Sequence, residues 1–105
     1  MNITQITAEA LTGGQSTSIV NAAGTSAQSP VVVRPANHPA GVPVKVLVTP
    51  DNTCFGRKGT NPTALNDGTD QVFVANTPYR IELMEGERMA FISTAGGTVK
   101  WTPGA

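Results

Sequence analysis

The fold class is decided by four short segments in the second half of the chain, which are Asp70-Gln-Val-Phe-Val-Ala, Tyr79-Arg-Ile-Glu-Leu-Met, Arg88-Met-Ala-Phe-Ile-Ser-Thr and Thr98-Val-Lys-Trp-Thr. Each segment alternates apolar and polar residues, and small turn residues separate one from the next. Such alternation is typical of β-strands that bury one face. None of the four segments carries a catalytic pattern, so they predict structure and no chemistry.

Two β-branched segments precede these strands. Pro30-Val-Val-Val-Arg begins the body of the domain, and Val42-Pro-Val-Lys-Val-Leu-Val-Thr favours a further strand, with Val42 on the same face as the valines that follow it. A shorter strand is predicted at Thr53-Cys-Phe-Gly. The inward faces of the strands predict a core made of Val44, Val46, Val48, Ile81, Leu83, Phe91, Val99 and Trp101.

Two glycine turns join the last three predicted strands. Glu85-Gly86-Glu87 predicts a hairpin in which Gly86 takes a positive φ, and Ala95-Gly96-Gly97 predicts a second tight hairpin. The strand between the two turns is fairly apolar on both faces, which is typical of a strand in the middle of a sheet.

The whole pattern predicts an all-β protein: about eight short antiparallel strands with Gly and Pro turns form one small β-sandwich, jelly-roll-like domain or barrel. A chain of 105 residues forms one domain. We place the sandwich body at residues 30–105 and an extended N-terminal arm at residues 1–29. Within this arm, Ser18-Ile-Val is a candidate edge strand.

The arm is made mostly of small polar residues, and Glu9 is its only charged side chain. Such a segment cannot bury enough apolar surface by itself to offset the entropy of ordering. Ile3, Ile6 and Leu11 are nevertheless suitable anchors for shallow pockets on a partner, so we predict that they bind one.

Charge and composition exclude several classes of partner and location. The formal net charge is zero, so no general attraction to nucleic acid or to an anionic membrane is expected. No apolar segment approaches the roughly 18 residues that a membrane-spanning helix needs. The first residues lack the pattern of a signal peptide. The single cysteine cannot form an internal disulfide, which fits assembly in a reducing compartment.

Residues suited to catalysis or metal binding are few. His38 is the only histidine, and it lies in a proline-flanked loop. A zinc site needs three or four His, Cys or acidic ligands, and Cys54 is the only cysteine. The segment 61–70 is rich in Asn and Asp, but it lacks the acidic spacing of a calcium loop and favours an Asx turn. The residues therefore predict no enzyme and no cofactor; a cupin-type enzyme would need several histidines.

Five residues of the body are predicted to contact a partner. Arg57 and Lys58 form the one local basic pair, and Leu47, Phe73 and Met84 are predicted to face outward. Outward apolar side chains in this number exceed what a free sandwich of this size needs. We therefore expect a homo-oligomer, and a trimer in particular.

The C-terminal half resembles small bacteriophage virion proteins. The resemblance covers about residues 53–103 and follows the motifs Thr77-Pro78-Tyr79-Arg80-Ile81, Glu85-Gly86-Glu87-Arg88, Ala90-Phe91-Ile92-Ser93, Gly96-Gly97-Thr98-Val99 and Trp101-Thr102-Pro103. Proteins of this group decorate or cement capsids, and they are commonly β-sandwich or jelly-roll trimers on the capsid surface.

The resemblance implies a structural virion protein that binds the major capsid protein, stabilises the phage head and assembles in the host cytoplasm. It brings no catalytic residues with it. A head-fibre or tail accessory module that contacts the host surface is the alternative, and such a module should show an exposed cluster of aromatic residues.

Overall fold

The structure of the protein is a computed structural model that describes residues 16–34 and 37–104. Eight β-strands form the fold: β1 (Thr17–Asn21), β2 (Ala27–Gln28), β3 (Val44–Pro50), β4 (Cys54–Gly59), β5 (Gln71–Phe73), β6 (Tyr79–Leu83), β7 (Arg88–Ile92) and β8 (Gly97–Pro103). These described residues contain no helix that is long and apolar enough to cross a membrane.

The eight strands form two antiparallel sheets of four strands each, in the orders β1-β8-β3-β6 and β2-β7-β4-β5. The pairs β1–β8, β2–β7, β3–β6 and β4–β5 are nested, as if one long hairpin had been folded over itself. This nesting is the strand order of a jelly roll. The predicted all-β fold is therefore confirmed.

The two glycine turns are not hairpins, so the two predicted hairpins are wrong. β6 and β7 lie in different sheets, and so do β7 and β8, so each turn carries the chain from one sheet to the other. Gly86 does take a positive φ of 90°. A tight turn reverses the chain in both arrangements, and only long-range pairing decides whether the next strand joins the same sheet.

The core lies between the sheets and follows the predicted alternation closely. In β3, Val44, Val46 and Val48 are completely buried, whereas Lys45 between them is exposed. Seven of the eight predicted core residues are buried; the eighth, Ile81, is half-buried and packs against the others. β7 is a central strand, as predicted, because β2 and β4 pair with its two sides.

Two predictions about individual side chains are wrong. Phe73 was expected to face outward, yet it is only 2% exposed and its ring makes edge contacts with Tyr79 and Phe91 inside the core. Val42 was grouped with the buried valines, yet it is exposed because it precedes the first residue of β3 and lies outside the ladder.

The boundary between arm and body also differs from the prediction. β1 pairs with β8 over its whole length, and β2 pairs with β7, so residues 17–28 belong to the sandwich. Ile19 of β1 is buried in the core. The edge strand predicted at Ser18-Ile-Val is confirmed by β1. Residues 1–15 of the predicted arm, which include Ile3, Ile6 and Leu11, lie outside the described residues.

Candidate interaction surface

One end of the sandwich exposes four large aliphatic side chains. We call this the end patch, and it surrounds the turn between β6 and β7. Its members are large, apolar and between 39% and 68% exposed: Val31, Val33, Val42 and Met84. Exposed aliphatic residues that gather in one place are a common sign of a surface that contacts another protein.

The segment after β2 builds half of the end patch. The Val32 N–H donates to the Glu87 carbonyl (2.9 Å), and the Val32 carbonyl accepts from the Gly86 N–H (2.9 Å). These two backbone hydrogen bonds hold the segment against the turn between β6 and β7. The Val32 side chain is buried. Because neighbours in an extended chain point to opposite sides, Val31 and Val33 are turned outward.

The start of β3 and the end of β6 build the other half. Val44 pairs with Leu83 in the ladder. Val42 precedes Val44 by two residues, and Met84 follows Leu83, so both side chains lie where the two strands leave the sheet. The turn itself is held together because the Glu87 carboxylate accepts a hydrogen bond from the Met84 N–H (2.6 Å). Hydrogen bonds therefore hold the backbone of the turn and of the segment at Val32 beside the patch.

A second feature is a cleft of about 550 Å³ between the two sheets, at the side where both end in an exposed strand. We call it the edge cleft. Its floor is apolar and its rim is polar; the lining residues are Gly56, Arg57, Lys58, Thr69, Asp70, Gln71, Phe73, Ile81, Glu82 and Met89.

An ion pair holds one rim of the edge cleft. The Arg57 Nε donates to the Asp70 carboxylate (2.6 Å), and a second guanidinium nitrogen donates to the Thr69 hydroxyl (3.1 Å). The same carboxylate accepts from the Leu65 N–H (2.6 Å). Its side chain is only 2% exposed. Because the Asp70 carboxylate accepts hydrogen bonds from Arg57 of β4 and from Leu65 of the loop, it connects the β4–β5 loop to β4.

The β4–β5 loop, residues 60–70, is hydrogen-bonded to β2 and to the residue that precedes it. Gln28 donates to the side chain of Asn61 (2.9 Å) and to the carbonyl of Pro62 (2.8 Å). The Ala64 N–H donates to the Ser26 hydroxyl (2.9 Å). Pro62 and Ala64 are buried as a result. These hydrogen bonds attach the loop to the short edge strand β2.

The five predicted contact residues do not form one surface. Arg57 and Lys58 lie on the rim of the edge cleft, and the buried Phe73 lies on its floor. Met84 belongs to the end patch, and Leu47 is half-buried on the outer face of the other sheet. Three residues of the end patch were missed: Val31, Val33 and Val42. The proline on either side of residues 31–34 was the available signal, since such a short β-branched segment has little room to join a ladder.

The residues considered for catalysis or metal binding have ordinary structural roles. His38 Nε2 donates to the carbonyl of Val42 (2.9 Å), within one loop. Asp67 accepts from the hydroxyl and the N–H of Thr69, and these bonds lower the pKa of the Asp67 carboxyl. In the described part of the chain, His, Cys, Asp and Glu side chains do not gather in a group of three that could hold a metal ion.

Cys54 is a buried free thiol. Burial raises its pKa from 9.0 to about 11, and the nearby Asp51 carboxylate adds to the shift. A thiol with a raised pKa is a poor nucleophile at neutral pH, because the reactive form is the thiolate. Cys54 instead packs in the core as a small hydrophobic side chain.

Comparison with family models, with curated protein sequences and with solved structures finds no match to this chain.

Proposed function

We propose that this chain is a structural virion protein: a capsid decoration, or cement, protein that binds the major capsid protein and stabilises the phage head. The observation that carries the proposal is the end patch, four exposed aliphatic side chains at one end of a jelly roll. The resemblance of residues 53–103 to small virion proteins supports the same function.

The mechanism is burial of apolar surface. Each aliphatic side chain that leaves water on binding contributes roughly 25 cal/mol per Å² of apolar area. One patch of four side chains binds weakly by itself. A capsid presents many equivalent sites, and an oligomer that occupies several of them gains affinity through multivalency. The fixed backbone of the turn keeps the entropic cost of binding low, because little has to be ordered.

The alternative, a module that contacts the host surface, has no specific observation in its favour. Four of the five aromatic residues of the chain are Phe73, Tyr79, Phe91 and Trp101, which form a continuous series of edge contacts inside the sandwich. Phe55 is half-buried on the outer face. An exposed aromatic cluster, the feature expected of that module, is absent from these five residues.

The proposal can be tested by sedimenting the protein with capsids of the parent phage that lack this chain. We expect the native protein to sediment with the capsids and to raise the temperature at which they open. The variant carrying both Val33→Glu and Met84→Glu should bind at least about tenfold more weakly, because charged groups resist burial in an apolar contact.

Val20→Glu is the matched control. Val20 is 70% exposed, but it pairs with Thr98 near the opposite end of the sandwich, away from the end patch. It should bind capsids as the native protein does. Equal binding by the double variant and by the control would contradict the assignment of the end patch, and no binding by the native protein would contradict the proposed function itself.

A further inference from the structure

We propose that β6 is a self-pairing edge: two copies of the chain join β6 to β6 in antiparallel orientation about a two-fold axis at Ile81. This joins the two β1-β8-β3-β6 sheets into one sheet of twice the width. The inference concerns a surface different from the end patch and holds whether or not the protein binds a capsid.

β6 suits this pairing better than β1, the other five-residue edge strand, because β6 carries charged side chains that can select a register and β1 carries none. β6 pairs with β3 on one side, and no other described strand pairs with its second side. The edge strands of the other sheet are shorter, with three residues in β5 and two in β2. Short edge strands resist pairing with other chains, whereas a regular strand without an internal proline or bulge offers a row of free backbone groups.

The side chains of β6 select one register. Arg80 and Glu82 are exposed on the outer face of the sheet, with Ile81 half-buried between them. With Ile81 opposite Ile81 of the second copy, each Arg80 lies opposite a Glu82. A shift by two residues in either direction places Arg80 opposite Arg80 or Glu82 opposite Glu82. Opposite charges stabilise directly facing pairs and like charges destabilise them, so the charges favour the Ile81-centred register.

The interactions within the chain are compatible with this pairing. Arg80 already has an interaction in its own chain. A guanidinium has five donors and can serve a second partner. Glu82 pairs in register with Lys45 of β3, and the described residues show no close ion pair between the two. The Glu82 carboxylate can therefore accept hydrogen bonds from a neighbouring copy.

The edge cleft gives the pairing an apolar component. Ile81 lines the cleft beside Phe73 and Met89, and β6 forms one of its borders. A second β6 covers this open side and removes Ile81 from water. The charged lining residues are two cations, Arg57 and Lys58, and two anions, Asp70 and Glu82, so two clefts can approach without net repulsion.

This pairing gives a dimer, whereas the sequence led us to expect a trimer. That expectation rested on Leu47, Phe73 and Met84 as outward apolar residues. Phe73 is buried and Leu47 is half-buried, so the basis for a trimer is weakened. The side of β6 that pairs with no described strand therefore supports a dimer better than these apolar residues support a trimer.

Charge reversal tests the register. We expect the native protein to form a dimer in light scattering over a concentration series. Arg80→Glu or Glu82→Arg alone should weaken the dimer by about tenfold or more, since each change places two like-charged pairs across the interface. The double variant Arg80→Glu/Glu82→Arg restores opposite pairs and should recover most of the affinity. Lys100→Glu on β8 is the control and should leave the dimer intact.

Crosslinking tests the axis by an independent route. Directly opposite residues of antiparallel strands have Cα atoms about 4.5–5.5 Å apart, which a disulfide can span. Ile81→Cys should therefore form a covalent dimer on mild oxidation. Val20→Cys on β1, the edge strand at the other side of the same sheet, should not. The native Cys54 is buried and contributes little background.

The outcomes separate cleanly. A dimer that the single reversals weaken and the double reversal restores supports the proposal. A protein that is monomeric at every concentration and gives no Ile81→Cys crosslink overturns it. A dimer whose affinity is unchanged by Arg80→Glu and by Glu82→Arg also overturns it, and so does a trimer. Capsid binding by the dissociated Arg80→Glu variant, measured separately, reports on the proposed function and not on this pairing.

Discussion

Gly56 lies at a place where the packing between the sheets leaves no space for a side chain. A Cβ atom at this position would lie 2.6 Å from Cε2 of Phe73 and 2.9 Å from Cε of Met89. We predict that Gly56→Ala lowers the free energy of unfolding by about 1–3 kcal/mol, because the Phe73 ring must move. Chemical denaturation measures the change.

Gly59 of the same strand provides the control for this prediction. A Cβ atom there would meet only Pro62, at an ordinary 3.7 Å. Gly59→Ala should therefore change stability little or raise it slightly, since it restricts the unfolded chain. An equal loss of stability in both variants would mean that the backbone of β4, and not the space beside Phe73, sets the cost.

Cys54 gives the protein a predictable response to alkaline pH. In the unfolded chain the thiol ionises near its ordinary pKa of 9.0, whereas in the folded protein burial holds the pKa near 11. The folded state therefore keeps the proton longer, and its advantage is complete below pH 9 and is lost as the pH rises toward 11. We predict that native stability falls more steeply than that of Cys54→Ala over this range. Denaturation midpoints from pH 7 to 11 that run parallel for the two proteins would contradict it.

The sequence predicts correctly which side chains face the core where a strand is long, and it predicts this poorly where a strand is short. Val44, Val46 and Val48 alternate with other residues over a seven-residue strand, so their inward face is unambiguous. β5 has three residues, too few to define a period, and the assignment of Phe73 to the outer face was wrong. Val33 was missed because its exposure depends on hydrogen bonds between Val32 and a turn more than fifty residues away.

Among the elements, the β4–β5 loop depends on one carboxylate. Asp70 accepts from Arg57 and from the backbone of Leu65, and its side chain is almost fully buried. Asp70→Ala leaves both donors without their partner, which we expect to cost about 1–3 kcal/mol. Residues 60–69 should then exchange amide hydrogens faster. Asp67→Asn in the same loop keeps an acceptor for Thr69 and should exchange as the native protein does; equal protection in all three proteins would refute this role.

At the level of elements, the sequence predicts strands and turns but not which strands meet. Gly86 and Gly96 mark tight reversals correctly. Both reversals carry the chain to the opposite sheet, and among the described strands the one consecutive pair that hydrogen-bonds is β4 with β5. The four-residue turns 84–87 and 93–96 have the same local signature whether or not the next strand joins the same sheet. Whether the next strand joins the same sheet or the opposite one is decided by the nested long-range strand pairs. A local sequence pattern carries no information about those pairs.

For the whole molecule, the position of β1 predicts where the chain can be shortened. Deleting residues 1–15 should leave the melting temperature within a few degrees and reduce capsid binding, because Ile3, Ile6 and Leu11 are the predicted partner contacts. Deleting residues 1–21 removes β1 and the buried Ile19 and should lower the melting temperature by about 10 °C or more. Thermal unfolding followed by circular dichroism compares the two.

Two results would contradict these predictions, one about stability and one about capsid binding. Similar melting temperatures would show that β1 is not part of the stable sandwich, against its full pairing with β8. Unchanged capsid occupancy after deletion of residues 1–15 would remove the three N-terminal anchors from the account and leave the end patch as the contact surface.

Electron cryo-microscopy of the parent virion tests the central claim most directly. The proposed function predicts density for this jelly roll on the outer surface of the capsid, with the turn between β6 and β7 and the side chains of Val33 and Met84 against the major capsid protein. A complete reconstruction of head and tail in which the sandwich is found only on a tail structure, or in which another face of it meets the capsid, would contradict the account.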